Sequence, residues 1–308
     1  MDTLLKNYIN SGLITHHYWA LGFAQNPEPH HSSCFLPGGR SVFDLASLTK
    51  ALVTVPILWK KKDQWSEPLG SLWDECPGAL SHLTLESLLS HQSGLPAWKG
   101  YVFWALHQRK PTLTRWFQET FPQTLLPPQT YRYSDVGYLL LGAFLGQDRL
   151  TTLWEELSLP LGLPFTYGPI PKEMAISTGY CPLRRRFLEG EVHDENAWAL
   201  GGTAPHAGLF SSGPDLWLGL HRLIHSDYFS SFFQNPLGWQ VGNQDSRLIF
   251  QGEISFGHLG FTGTAFWYEP KSDRLAIFLT NRVISGRLAP WMGELRRQVY
   301  AKLGSLPL

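Results

Sequence analysis

The stretch Val42–Leu58, VFDLASLTKALVTVPIL, sets a hydroxyl at Ser47 and an amine at Lys50 inside an otherwise apolar run. Burying an unpaired ammonium costs several kcal/mol, so such a lysine is either solvated or employed. Residues three apart on a helix share a face. If Ser47 lies in the first turn of a helix that begins near it, the positive end of the helix dipole points at its oxygen. An amine on the same face could then take the hydroxyl proton. Pro56 should bend this helix or end its first part.

Outward from this run, composition bounds the answer. The chain has 308 residues, no formal net charge and 43% hydrophobic content, which suits one large domain or two coupled ones. Zero net charge argues against nucleic acid or an anionic membrane as partner, since both need a basic surface. Lys60–Lys62 and Arg184–Arg186 are short basic clusters that read as a solvated helix end and a loop. Cys34, Cys76 and Cys181 are far apart and odd in number, which suggests neither a disulfide framework nor a zinc site and fits a reducing compartment. The N-terminus lacks a basic region followed by a long apolar core, so no signal peptide is expected, and no run approaches the ~20 residues of a membrane span. A cytoplasmic location follows as an expectation. Thirteen tryptophans are expected mainly in the core or lining a groove, with sugar stacking as the alternative.

Periodicity places the elements. Residues 3–12 have helical spacing ended by Gly12, and 15–24 read as a strand followed by a Pro/Gly loop over 26–39. From 63 to about 200, short helical patterns alternate with Pro/Gly loops, and no strand pairs are evident. Beyond 206, PDLWLGLHRLI reads as a helix. ISFGHLGFTGTAFWYEP and DRLAIFLTNRV read as two strands joined by a turn near Pro270–Asp273, and PWMGELRRQVYAKLG as a helix stopped by Gly304. Strands at both ends and helices between them imply an α/β (α+β) fold. Its antiparallel sheet is built from both chain ends, flanked by terminal helices, and carries an inserted helical subdomain. The expected division is 1–62 plus 200–308 for the sheet-containing part and 63–199 for the helical part, as one catalytic unit.

Two further segments join the Ser47/Lys50 pair. YRYSDVGYLLLG sets Tyr133, Ser134 and Asp135 before an apolar helix, and FGHLGFTGT sets His258, Leu259 and Gly260 on a strand thinned at Gly260, as where a backbone must approach closely. The order S-x-x-K, Y-x-[ND], [KH]-x-G resembles that of the serine hydrolases of the class C β-lactamase, D-alanyl-D-alanine carboxypeptidase and family VIII esterase type. FDLASLTK, LTLESLLSHQSGLPAW, AGLFSSGPDL and LTNRV look like segments of that family in its order. VHDENAWALGGTAPHAGLFS (192–212) looks like a branch linked to cell-wall muropeptides. The resemblance implies Ser47 as an acyl-forming nucleophile, Lys50 and Tyr133 as proton carriers, and His258 where many members carry Lys. It also implies an oxyanion hole from the N–H groups of Ser47 and Phe261, whose donors are worth ~3–4 kcal/mol each in comparable sites.

Three departures bear on substrate. Asp135 stands where Asn is frequent, Leu259 where a hydroxyl is common, and His258 is mostly neutral at pH 7. All weaken attraction to an anionic substrate end. If Asp135 lies about 4 Å from Lys50, an attraction of ~1–4 kcal/mol favours charged lysine. Lys50 then organises the field and lowers the pKa of Tyr133, which becomes the proton acceptor. The bland alternative for Asp135 is a helix cap. His91 and Ser93 are expected to hold a turn closed by Gly94. In VHDENA, adjacent His193, Asp194 and Glu195 rarely converge on one metal, so a loop that shapes or buttresses the cleft is expected, with no metal and no cofactor. The expected function is a serine hydrolase acting on peptidoglycan-derived D-amino-acid peptides or small esters and amides. The alternatives are a silent cell-wall-fragment sensor and a true β-lactamase. The partner is a small-molecule or peptide substrate, and the oligomeric state is open.

Overall fold

The computed structural model describes residues 1–121 and 130–308. Its eleven described strands run in chain order β1 His17–Phe23, β2 His31–Phe35, β3 Val42–Asp44, β4 Thr166–Tyr167, β5 Tyr180–Cys181, β6 Arg186–Phe187, β7 Leu209–Ser212, β8 Gln240–Val241, β9 Phe256–Leu259, β10 Ala265–Glu269 and β11 Arg274–Thr280. Six of them form an antiparallel sheet in the order β2-β1-β11-β10-β9-β8, so strands from both chain ends meet at the β1–β11 pair. The fold is thus the mixed α/β arrangement expected, with an antiparallel sheet flanked by helices.

Side-chain alternation explains the layering. Successive strand residues face opposite sides. On β1 and β11, Tyr18, Ala20, Leu275, Ile277 and Leu279 enter the large core shared with the inner helices, while Trp19, Leu21, Ala276 and Phe278 enter a second core. Helices Asp2–Asn10 and Met292–Gly304 cover that second core with Leu5, Leu295, Val299 and Leu303. Among the described residues, no helix is long and apolar enough to cross a membrane.

The structure corrects several element boundaries. The strand β2 falls inside the expected 26–39 loop; it is an edge strand paired only with β1, and its residues HSSCF carry no apolar alternation. Within 63–200, β5 pairs with β6, while β4 pairs with β7 of the following segment, beside β3. Each of β4, β5 and β6 has only two residues, too short for a periodic signal. The expected strand 254–270 is a hairpin, β9 and β10, broken at Gly260–Thr264, where Gly263 takes φ +103°. Gly304 lies inside the last helix, and Ser305 caps it. A Cβ on Gly304 would sit 2.0 Å from the Leu248 carbonyl, so this glycine permits a close approach instead of a stop.

The helix neither ends at Pro56 nor keeps one geometry up to it. The turn Lys50–Thr54 widens to π-helical geometry before the α-helix Val55–Trp59. A proline has no N–H to give the carbonyl behind it. The Ala51 carbonyl, which residue 56 would serve in that register, accepts the Trp239 indole N–H at 3.0 Å.

Candidate active site

Ser47 sits on a turn one residue before the helix begins, slightly earlier than expected. Its predecessor Ala46 has φ +48°, a conformation a non-glycine residue holds only when its surroundings over-determine it. Here they do. The Asp44 carboxylate accepts the Ala46 N–H at 2.8 Å, and the Thr49 hydroxyl donates to the Ala46 carbonyl at 2.7 Å. From the β9–β10 turn, Thr262 donates to the Asp44 carbonyl (2.7 Å) and Thr264 to the Leu45 carbonyl (3.1 Å). That clamp fixes the Ser47 turn against Phe261. Among the described residues, neither the Ser47 N–H nor the Phe261 N–H has a protein acceptor.

Gly260 shows why the strand must be thin here. A Cβ on it would lie 1.9 Å from Thr264 Oγ1 and 2.8 Å from the Leu45 carbonyl oxygen. Gly260→Ala is therefore expected to cost ~1–3 kcal/mol of stability through overpacking, read as a lowered Tm in thermal unfolding. An unchanged Tm would contradict the clamp.

Lys50 is fully buried; its ammonium donates to Ser47 Oγ at 2.9 Å and to the His206 carbonyl at 3.2 Å, and it forms an ion pair with Asp135 Oδ1 at 2.7 Å. Burial pulls the Lys50 pKa down, but Asp135 and then Tyr133 outweigh it and hold the amine above the ordinary lysine value. Asp135 is closer than the 4 Å considered from sequence, and it is not the helix cap. Ser134 caps helix Asp135–Leu145 by accepting the Gly137 N–H at 2.9 Å, which leaves Asp135 for Lys50.

Tyr133 lies beside Lys50, its ring centre 5.0 Å from Lys50 Nζ, and both Lys50 and Ser47 act to lower its pKa. Burial raises the Tyr133 pKa, and the lowering by Lys50 is smaller, so the net direction is upward. Lys50 lowers this phenol, as expected, but desolvation exceeds that lowering. His91 supports Tyr133, with ring centres 4.5 Å apart, and its Nδ1 accepts the Ser134 N–H at 3.1 Å. It lies at φ +58° in the turn that includes Gly94 at φ +75°.

Ser47, Tyr133, Asp135, Gly260 and Phe261 line a cavity of about 510 Å³. His258 is not among the lining residues. It is fully buried, its Nδ1 lies 2.9 Å from the Leu259 carbonyl oxygen, and its ring centre is 6.0 Å from that of Tyr133. It stands behind the cavity wall.

The VHDENA segment buttresses the cleft. Asp44 accepts the His193 backbone N–H at 2.6 Å, tying this loop to the Ser47 turn. Asp194 caps helix Glu195–Ala199 and pairs with His206 Nε2 at 2.9 Å, while the His206 carbonyl holds Lys50. Among the described residues, no group of three or more His, Cys, Asp or Glu is placed to hold a metal. Sequence reading missed Arg282, Arg287 and Arg296, which also line the cavity. They are spread over 15 positions and form no basic run; the quoted segment LTNRV held the first of them.

Burial keeps three histidines of this region neutral. It pushes His91 down to about 3 and His193 to about 4, and lowers His258 well below the ordinary value; the Lys50 charge adds to the lowering of His91 and His258. Stability from such groups is complete above the unfolded pKa of about 6.5 and is lost as pH falls toward the folded values. Asp44, raised by burial to about 6, acts oppositely: its contribution grows as pH falls from about 6 toward the unfolded carboxylate value of about 4. Three groups outweigh one, so Tm is expected to fall between pH 6.5 and 4.5. A Tm that rises over that interval would contradict this ionisation pattern.

Comparison with known proteins gives the lineage. The Beta-lactamase family model matches residues 8–301. A Bacillus subtilis protein named N-acetylmuramyl-L-alanine amidase is 27% identical over 303 residues, covering 79% of this chain and 68% of that protein. An Escherichia coli protein named Putative D-alanyl-D-alanine carboxypeptidase is 26% identical over 300 residues, covering 79% and 69%. Among solved structures, the octameric penicillin-binding protein homologue from Pyrococcus abyssi superposes with a TM-score of 0.69 at 16% identity, covering 98% of this chain and 76% of that one. A class C beta lactamase from Rhodobacter sphaeroides gives 0.65 at 16% identity, covering 98% and 97%. With a fold shared across those structures and a family match running nearly end to end, the chain belongs to the Beta-lactamase family.

Proposed function

We propose that the protein is a serine hydrolase that works through an acyl-enzyme on Ser47, acting on peptidoglycan-derived D-amino-acid peptides or on small esters and amides. The observation that carries this reading is the contact of one buried ammonium with both Ser47 Oγ (2.9 Å) and Asp135 (2.7 Å), with the Tyr133 ring centre 5.0 Å from the same ammonium. The names of the Bacillus and Escherichia relatives favour a cell-wall amide over other acyl donors.

In this reading the resting site holds Lys50 as ammonium and Tyr133 as neutral phenol, since both pKa values are raised. Tyr133 then serves as a two-way shuttle. As Ser47 Oγ bonds to the substrate carbonyl carbon, its proton passes to the Tyr133 oxygen, and the phenol proton passes to the departing nitrogen or oxygen. Water repeats the exchange in reverse and releases the acid. Lys50 supplies field and position at close range, where low dielectric magnifies its charge. The N–H groups of Ser47 and Phe261 would receive the developing oxyanion. His258 packs behind Tyr133 as a neutral support.

A fluorophosphonate probe is expected to label the wild type and not Ser47→Ala; labelling of both, or of neither, would count against the reading. Tyr133→Phe is expected to lower kcat on p-nitrophenyl esters roughly 100- to 10,000-fold, the range of a positioned proton carrier. Full kcat in that variant would remove Tyr133 from the proton path.

A further inference from the structure

The Lys50 ammonium is gripped from two elements. Asp135 reaches it from the helix Asp135–Leu145, and the His206 carbonyl reaches it from the stretch before β7. That stretch is flanked by Gly202 and Gly208, at φ +94° and +115°, and glycine restrains a backbone least. Its carbonyls are tied by side chains: Tyr167 donates to Ala204 at 3.0 Å, and Thr54 to Pro205 at 2.6 Å. Residue 206 has its own tie. Its ring is 1% exposed, Nε2 donates to Asp194 Oδ1 at 2.9 Å, and Nδ1 has no partner among the described residues, so the polar hold on the ring runs through Asp194.

Asp194 is anchored in turn. The same oxygen accepts the Ala197 N–H at 2.8 Å. Burial raises the Asp194 pKa, but His206, the Ala197 N–H and Lys50 outweigh it and hold the carboxyl well below its usual range. One residue earlier, the His193 N–H meets Asp44, whose other oxygen accepts the Ala46 N–H beside Ser47. Arg184, its side chain 2% exposed, braces this point by donating to the Val192 and His193 carbonyls, both at 2.7 Å. The loop 194–206 therefore starts on the Ser47 turn and ends on Lys50, and the Asp194–His206 bond closes it.

We infer that Asp194 and His206 are positioning residues for the reaction: their bond staples the 194–206 loop shut and so sets where the Lys50 ammonium lies relative to Ser47 Oγ. This rests on the reading of Ser47 as nucleophile with Lys50 as its charged neighbour. The carbonyl stabilises the ammonium over the free amine, so loosening it lowers the Lys50 pKa. The other groups that act on or face Lys50 stay in place: Asp135, Tyr133, the Tyr138 ring, and His91 and His258, which burial keeps neutral. Activity that needs the ammonium then fails at a lower pH on the alkaline side.

The test compares His206→Ala, which cuts the staple, with Asp194→Ser, which keeps a capping oxygen for the Ala197 N–H but is too short to hold residue 206. Each is expected to lower kcat on a p-nitrophenyl ester roughly 10- to 100-fold with KM within about threefold, the effect of a misplaced group. The double variant should be no worse than either single one, since both remove one bond. The alkaline limb of kcat should move down by about one pH unit, the worth of a weakened bond to an ammonium. His206→Gln, which offers an N–H near the Nε2 position, should recover most of the lost kcat. Leu295→Ala, in the second core, should lower Tm with kcat unchanged; kcat falling in step with Tm across it and His206→Ala would overturn the inference.

Fluorophosphonate labelling locates the nucleophile in the same samples. A label on Ser47 with kcat unchanged in His206→Ala and Asp194→Ser would overturn the inference and leave the hydrolase reading intact. If Ser47 takes no label, the hydrolase reading fails, and chemical denaturation decides the staple: Lys50→Met and His206→Ala should be non-additive, because both act on one bond, and additive effects would overturn it.

Discussion

Ser47→Ala is expected to lower kcat/KM on any acyl donor roughly ten-thousand-fold or more while leaving the fold in place. The magnitude follows from what else remains at the site. Removing a serine nucleophile abolishes the covalent route and leaves only what the oxyanion donors and binding contribute over water. The stability cost should be small. The Ser47 hydroxyl accepts one bond from Lys50, and the amine keeps Asp135 and the His206 carbonyl as partners. The turn is held by Asp44, Thr49, Thr262 and Thr264, none of which bonds the Ser47 side chain in doing so. Steady-state kinetics on a p-nitrophenyl ester, with thermal unfolding as the control, separates lost chemistry from lost structure. A variant with native Tm and more than a tenth of wild-type activity would reject Ser47 as nucleophile.

Lys50→Met has the second large effect, and it falls on both stability and rate. Removing one partner of a buried ion pair leaves the other charge uncompensated, at a cost of about 3–5 kcal/mol. The Asp135 side chain is 21% exposed, so water relieves part of that cost and the lower end is expected. The His206 carbonyl loses its donor as well. Activity should drop roughly a thousand-fold, since Ser47 and Tyr133 would lose the charge beside them. The double variant Lys50→Met/Asp135→Asn distinguishes the two effects. Neutralising Asp135 should restore part of the lost Tm without restoring turnover. Chemical denaturation of both variants checks this; a double variant no more stable than Lys50→Met would show that the pair is not the source of the cost.

The architecture was legible where periodicity and burial agree. Strands such as ALGF and RLAIFLT, and the apolar helix after Ser134, carry the pattern of their surroundings on their faces. The convergence of Ser47, Tyr133 and Gly260 on one cavity was legible because the motifs that suggested it are three short segments. What was not legible depended on distant partners. The two-residue strands β4, β5 and β6 have no period to read, and β2 is an edge with little to bury. The upward shift of Tyr133 depends on how much protein encloses it, which no local spacing reports. Gly304 read as a helix stop because glycine often is one; its use is the approach of the Leu248 carbonyl, contributed by a residue 56 positions away. The cavity arginines escaped notice for the same reason: Arg282, Arg287 and Arg296 converge only once the chain is folded.

The central claim is that one alcohol oxygen, Ser47 Oγ, takes the acyl group of the substrate. Intact-mass spectrometry of the protein after brief exposure to p-nitrophenyl esters, D-alanyl-D-alanine peptides and β-lactams tests it directly, with peptide mapping to locate any adduct. The predicted result is an increment equal to the acyl group, confined to the peptide that contains Ser47 and absent from Ser47→Ala. Turnover by the wild type with an adduct on any other residue, or turnover that Ser47→Ala retains, would contradict it.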